Sequence, residues 1–382
     1  MTIKLTKPHF NNKEYNLLKK TLNSGWVTEG KKVQLFEKKF CDFQKVNYSL
    51  AINSCTSALL TSLKVLGIQR GDEVIVPAFG WPTTANVIEF VGAKAIFVDV
   101  DRNNFNIDTR QIEEKISKKT RAIIIVHLFG LTSNINKILK ITKKYNLKLI
   151  EDAACAIGSK YKNKFAGNFG DLSCFSFHPR KLITTGEGGM LSFNDRKFYN
   201  SARGLINHGM QKLTKIPSEG IGPWTFADFS FPGINMKMSD IAGALGVVQF
   251  AKLTSIIKKR ISQAQFYINL LSKNKFLKLP AFNEKVLKGH TYQSFVVLIK
   301  DGNRTTRNNL MKNLLKKGIE SRPGTISIPH TQYYSTKYLF TKNNFPQSIF
   351  CENSSITLPL FHNLKRKQQL MIVNQINSFF NI

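Results

Sequence analysis

The sequence predicts an α/β fold, a sheet covered by helices. Three observations carry that reading. Helical and strand-like patterns alternate from the first third of the chain onward. The strand-like segments are short and apolar. At 382 residues, 42% of them hydrophobic, the chain is long enough for a large core and more than one domain.

Taken in order, helical patterns cover 13–22, 33–43 and 57–66, the last opening directly after the apolar run Ser49-Leu50-Ala51-Ile52. Strands follow at 73–77 and 95–98, then a helix over 109–116, a strand over 121–126, a helix over 134–145 and a strand ending at Asp152. The stretch 238–257 reads as one long helix whose Ala242, Gly243, Ala244 and Gly246 permit close packing, and 258–271 prolongs it. Residues 290–299 are strand-like and 304–317 helical. A boundary near 250 divides the chain into a large domain, 1–250, and a small one, 251–382. Residues 203–227, with Gly209, Gly220 and Gly222, read as a long loop bordering an active site or a subunit interface.

Three segments carry chemistry. In Ser176-Phe177-His178-Pro179-Arg180-Lys181-Leu182-Ile183-Thr184-Thr185-Gly186-Glu187-Gly188-Gly189 a lysine stands between a hydroxyl-bearing strand end and a glycine-rich turn. A lysine amine whose surroundings lower its pKa is a nucleophile toward aldehydes, although most lysines are solvated surface groups. The strand Leu147-Lys148-Leu149-Ile150-Glu151-Asp152 sets Asp152 at a carboxyl end, where ligands of open α/β sheets bind. Capping of the next segment explains Asp152 equally well. Asn53-Ser54-Cys55-Thr56-Ser57 opens a helix, and amides and hydroxyls at such a start suit a phosphate or serve as an ordinary N-cap.

Further segments extend along the chain: Ser24-Gly25-Trp26-Val27-Thr28-Glu29-Gly30, Gly71-Asp72-Glu73-Val74-Ile75-Val76-Pro77, Val126-His127-Leu128-Phe129-Gly130, Asn235-Met236-Lys237-Met238-Ser239-Asp240 and Pro329-His330-Thr331-Gln332-Tyr333-Tyr334. With the three above, they resemble the DegT/StrS family of nucleotide-sugar aminotransferases, which depend on pyridoxal phosphate. The resemblance implies a fold-type I architecture: a mostly parallel mixed sheet flanked by helices, with a smaller α+β C-terminal domain. It implies that Lys181 holds the cofactor and later shuttles a proton, that Asp152 keeps its pyridine nitrogen protonated, and that Trp81 stacks on its ring. Thr56, Ser57 and Ser176 would bind its phosphate, with Asn235 reaching across from the second subunit of a homodimer. His330 is similar to a histidine near the substrate. Trp26 and Thr28 are similar to a segment of enzymes acting at the sugar's C4, so a 4-keto-6-deoxy nucleotide sugar is the expected acceptor and glutamate the expected donor.

The chain also departs from the family pattern. Cys155 stands where many members have Gln, so a hydrogen bond near the cofactor's phenolic oxygen is missing or replaced; Lys237 stands for a common Arg and Cys55 for a frequent Gly. Phe79-Gly80-Trp81-Pro82-Thr83-Thr84 is also similar to a sister branch of sugar dehydratases, but those place a histidine where Lys181 stands. A histidine cannot bind an aldehyde covalently in this way, so the lysine favours transamination over dehydration.

The charge is unusual: 56 Lys and Arg against 24 Asp and Glu, a net +32. The lysines are scattered in ones, twos and threes, and no aromatic-interleaved basic groove or DNA-reading motif appears, so a non-enzymatic nucleic-acid binder or regulator is the lesser reading. A positive field would help capture a nucleotide diphosphate. The five cysteines show no metal-ligand spacing, and no metal is expected. No apolar run approaches a membrane span and the N-terminus is polar, so a cytoplasmic location is expected.

Overall fold

The computed structural model describes residues 2–211, 222, 225, 227–280 and 289–382, the side chain of residue 211 excepted. Seven strands form the main sheet: β1 (Tyr48–Ile52), β2 (Glu73–Pro77), β3 (Lys94–Val98), β4 (Thr120–Val126), β5 (Lys148–Asp152), β6 (Leu172–Ser176) and β7 (Gly189–Phe193). Their spatial order is β1-β7-β6-β5-β4-β2-β3. The links β3-β2-β4-β5-β6 are parallel, whereas β7 runs antiparallel to both β6 and β1. This is the mostly parallel mixed sheet that the family resemblance implies.

Alternation along the strands explains why helices cover both faces. Val74, Val76, Ile124 and Ile150 pack with Ala58, Leu59 and Leu63 of the helix Cys55–Val65. Their neighbours Ile75, Ile123, Ile125 and Leu149 pack on the other side with Ile135, Ile138 and Ile141 of the helix Ile135–Tyr145. Truncating one such residue, Ile138 to Ala, is expected to cost about 2–5 kcal/mol. Parallel strands all end at one edge, so their carboxyl-terminal residues gather there.

A four-stranded antiparallel sheet (Leu277–Lys278, Phe295–Ile299, Ser355–Leu358, Arg322–Pro323, in that order in space) forms a second unit. Its core includes Tyr267 and Leu271 of the helix Leu253–Leu271, Leu310 and Leu314 of Arg304–Lys316 and Ile372 and Ile376 of Arg366–Phe379. Ile3 joins this core and bridges to Ile319. The two units meet where Phe79–Gly80 pairs antiparallel with Ile326–Ser327, just beyond β2.

Four expectations need revision. Residues 109–116 form only the 3-10 turn Glu113–Lys115. Asp108 accepts the Arg110 N–H (3.0 Å) and its guanidinium, and that local bonding competes with a helix. The strand expected over 290–299 starts at Phe295, because Tyr292 lies in the left-handed region (φ 47°). The long helix breaks at Lys252 into Asp240–Ala251 and Leu253–Leu271, bent by 56°. Lys252 turns its N–H to the Gln249 carbonyl and its ammonium to Glu14. Finally, residues 203–205 close the helix Arg196–Leu205, and Met210–Gln211 pairs with Asp228–Phe229; the rest of the expected loop, 212–221, 223, 224 and 226, lies outside the described residues. No single helix among the described residues is long and apolar enough to cross a membrane.

Candidate active site

At the carboxyl edge of β5 and β6 the chain encloses a cavity of about 280 Å³, lined by Lys181, Asp152, Cys155, Ser176, Thr56 and Trp81, among others. Lys181 follows β6 in a turn fastened by its own N–H to the His178 carbonyl (2.8 Å) and by the Thr185 N–H to the Phe177 carbonyl (3.0 Å). The turn returns at Gly189, whose backbone lies against the start of the helix Cys55–Val65. A Cβ there would come within 2.6 Å of Ser54 and 2.7 Å of Cys55 backbone atoms, so only glycine permits the approach.

Lys181 Nζ donates to Cys155 Sγ at 3.1 Å. Burial works to lower its pKa, but Cys155, Asp152 and Cys55 outweigh burial and leave it above the ordinary amine value. Burial raises the Cys55 thiol well above the ordinary thiol range. The ammonium is therefore the resting form of Lys181, and it must give up a proton before acting as a nucleophile.

The two adjacent acids of β5 have different surroundings, since consecutive strand residues face opposite sides of the sheet. Glu151 is fully buried and accepts N–H bonds from Gly167 (2.7 Å), Phe169 (2.6 Å) and Gly170 (2.7 Å) and the Ser173 hydroxyl (3.3 Å). His127 Nδ1 accepts the Ser133 N–H (3.1 Å), so its Nε2–H donates to Glu151 (2.8 Å). Burial would raise the Glu151 pKa; His127 and the amides overcome it and hold the carboxyl below its usual value. Asp152 lines the cavity and, among the described residues, accepts from the Thr84 hydroxyl (2.9 Å) and the Ala154 N–H (3.1 Å). Burial dominates there and raises its pKa.

Ser54 caps the helix Cys55–Val65, its Oγ accepting the Ser57 N–H at 3.1 Å. First-turn amides have no intrahelical partner, which leaves those of Cys55 and Thr56, both on the cavity wall. Ser57 turns its hydroxyl to Asn53 Oδ1 (2.6 Å) and stands behind that wall. Trp81 is 64% exposed and borders the cavity, so it is no core tryptophan.

Four other sequence-derived candidates do not line the cavity. Asn235 is exposed, although the Asn53 N–H bonds the neighbouring Met236 carbonyl (2.8 Å). Trp26 and Thr28 are exposed; the Trp26 indole N–H bonds the Glu29 carbonyl (3.0 Å) and the Thr28 carbonyl accepts the Asp240 N–H (3.0 Å). His330 has both ring nitrogens engaged, with Ser327 Oγ (2.7 Å) and the Thr341 carbonyl (3.0 Å).

Sequence reasoning missed Thr84, Arg180, Gln293 and Arg322, all on the cavity wall. Arg180 adjoins Lys181 and was within reach of inspection; the other three arrive by tertiary contact. Among the described residues no group of His, Cys, Asp and Glu could hold a metal ion, and all five cysteines are free.

The model of the DegT/DnrJ/EryC1/StrS aminotransferase family matches residues 8–377. GDP-perosamine synthase of Escherichia coli O157:H7 is 33% identical over 380 residues, 99% of either chain. The spore coat polysaccharide biosynthesis protein SpsC of Bacillus subtilis (strain 168) is 32% identical over 356 residues, 93% of this chain and 91% of that one. Among solved structures, Spr1654 of Streptococcus pneumoniae in its PMP form superposes with a TM-score of 0.93 at 27% identity, covering 99% of each chain. PseC of Helicobacter pylori, an aminotransferase involved in pseudoaminic acid biosynthesis, gives 0.91 at 27% identity, covering 100% of each.

Proposed function

From the fact that the chain belongs to the DegT/DnrJ/EryC1/StrS aminotransferase family, we propose that it moves an amino group from glutamate to the keto carbon of a 4-keto-6-deoxy nucleotide sugar, with Lys181 as the catalytic residue. The chain is an enzyme, a sugar aminotransferase that uses pyridoxal phosphate. The observation that carries the finer reading is the meeting of Lys181, Asp152 and a helix N-terminus around one cavity.

The residues present fit the cofactor. A buried carboxylate with two donors among the described residues suits a ring N–H, free first-turn amides suit a phosphate, and Trp81 offers a flat apolar face. When bound, the cofactor supplies an electron sink for proton loss from the carbon bearing the amine. Lys181 would hold it and, once displaced by the donor, move that proton. Asp152 would keep the ring nitrogen protonated, with Thr84 fixing the carboxylate's orientation. Thr56, Ser57 and Ser176 would bind the phosphate; Ser57 must first release Asn53. Cys155, bonded to Lys181, would hold the amine in place where Gln is common in relatives.

The 4-keto position rests on the Trp26–Thr28 segment, and the nucleotide on relatives named GDP-perosamine synthase. His330 would approach the sugar only if its bonds to Ser327 and Thr341 open. We place the boundary of the large domain near residue 250, next to the helix break at Lys252. Asn235, exposed in this chain, would complete the phosphate site of a second copy in a homodimer.

The test is the visible absorbance of cofactor-loaded protein on adding glutamate without sugar. Bleaching in the native chain and none in Lys181→Ala is the expected result; an unchanged spectrum in the native chain removes glutamate as donor. If the dimer shares its sites, an equal mixture of Lys181→Ala and Asn235→Ala chains regains part of the turnover that each lacks. No recovery would count against Asn235.

A further inference from the structure

The surroundings of Cys155 set it apart from the other four cysteines. Burial, the largest influence on each of those, raises the thiols of Cys41, Cys55, Cys174 and Cys351 above the ordinary value, and a thiol kept protonated is a poor nucleophile. Cys155 is part-buried on the wall of the active-site cavity, and its Sγ accepts a hydrogen bond from Lys181 Nζ at 3.1 Å. Arg180 lines the same cavity. Electropositive, partly exposed surroundings of this kind are where cysteines react.

Oxidation of such a sulfur by a hydroperoxide is a two-electron step. The thiolate attacks one peroxide oxygen, the O–O bond breaks, an alkoxide or hydroxide leaves, and a sulfenic acid remains. A sulfenic acid is electrophilic at sulfur and condenses with a neighbouring thiol or nitrogen. Here a nitrogen stands at hydrogen-bond distance, on a flexible four-carbon stem that can bring it to bonding distance. Burial acts to lower the Lys181 pKa, and Cys155 is the largest of the influences that raise it. Oxidation of Cys155 removes that influence and so releases the amine's proton. The free amine then attacks the sulfur, the S–O bond breaks, and the departing hydroxide leaves as water with the proton that the nitrogen sheds.

On the reading above of Lys181 as the residue that holds the cofactor, we propose that hydroperoxides join Cys155 to Lys181 in the cofactor-free enzyme through an S–N bond, which removes the amine that cofactor loading requires. Two thiols reverse the bond. The first attacks the sulfur and returns the amine; the second reduces the mixed disulfide that results. With cofactor in place Lys181 is committed to it, so the loaded enzyme does not close the bond. The pair thus makes cofactor uptake, and not the loaded enzyme, sensitive to peroxide.

The experiment treats cofactor-free protein with near-stoichiometric hydrogen peroxide. One portion is digested without reductant for mass spectrometry, and another is titrated with pyridoxal phosphate and read by visible absorbance. The expected product is a cross-linked pair of peptides holding residues 155 and 181, lighter than their sum by two hydrogens. Cofactor uptake should be lost in proportion to the cross-linked fraction, with both effects reversed by dithiothreitol. Cys55→Ser should give the same product, which separates an S–N bond from a disulfide between two cavity cysteines. Cys155→Ser should take up as much cofactor after peroxide as before it, and Cys155→Gln carries the same comparison if the serine variant does not fold. Protein loaded before peroxide should show no cross-link. A Cys155 that stays a sulfenic acid, trapped by dimedone, or that pairs with Cys55 overturns the proposal; so does a cross-link that leaves cofactor uptake unchanged. The untreated protein keeps the two readings apart. If it shows a cofactor band that Lys181→Ala lacks, failure of the cross-link removes the S–N assignment alone, whereas an identical band in Lys181→Ala removes the reading of Lys181 itself.

Discussion

The two faces of β5 bury a carboxylate in different ways. On the sealed face Glu151 has five donors, and those bonds keep it ionised against complete burial. On the cavity face Asp152 has two, and burial prevails. A group whose bonding capacity is filled by the protein can only support the fold. One left with unused capacity at a cavity is available to a ligand, and it costs stability until the ligand arrives.

The largest effect that this contrast predicts is on the sealed face. Glu151→Gln replaces an acceptor surrounded by N–H groups with an amide that presents its own N–H to some of them. The expected loss is about 3–5 kcal/mol of stability, read by denaturant unfolding, with turnover per folded molecule little changed. A variant as stable as the native chain would show that the network does not support the fold. Next comes Asp152→Asn, which keeps the shape and the bond from the Ala154 N–H, can donate to the Thr84 hydroxyl instead of accepting from it, and removes the charge. Turnover is expected to fall about 10²- to 10³-fold, with cofactor still bound and the cofactor-free protein no less stable. Equal activity would mean that the ring nitrogen needs no anion; a stability loss like that of Glu151→Gln would erase the contrast.

These two neighbours also show what could be read from the sequence alone. The period of two places Glu151 and Asp152 on opposite faces, but nothing local says which face carries the cavity; the family pattern supplied that choice. The Lys181 turn and the Ser54-capped helix were legible because each is a continuous strand–turn or turn–helix segment with its own residue chemistry. Thr84, Gln293 and Arg322 were not, since they reach the cavity from 68, 141 and 170 positions away from Asp152, through contacts that no short pattern encodes. The helix expected over 109–116 failed for the opposite reason: a local bond, from the Arg110 N–H to the Asp108 carboxylate, overrode a plausible periodicity. The role proposed for Asn235 in a second copy would leave no such trace in one chain.

The smallest effect is in the pH dependence of stability, and there the two acids should act with opposite sign. Glu151 has a folded pKa below its ordinary value of 4.5, so its contribution is fully present above that value and is lost as the pH falls toward the folded pKa. Asp152 has a folded pKa above its ordinary 3.8, so its contribution is present below 3.8 and is lost as the pH rises through the folded pKa. Each proton can tilt the curve by at most about 1.4 kcal/mol per pH unit. Melting temperatures of cofactor-free protein between pH 3 and 7 should therefore show a shallower acid loss in Glu151→Gln than in the native chain, and a steeper one in Asp152→Asn. Parallel acid limbs in all three proteins would mean that neither carboxylate changes its proton on unfolding, and the distinction between a sealed and an available acid would then have to rest on turnover alone.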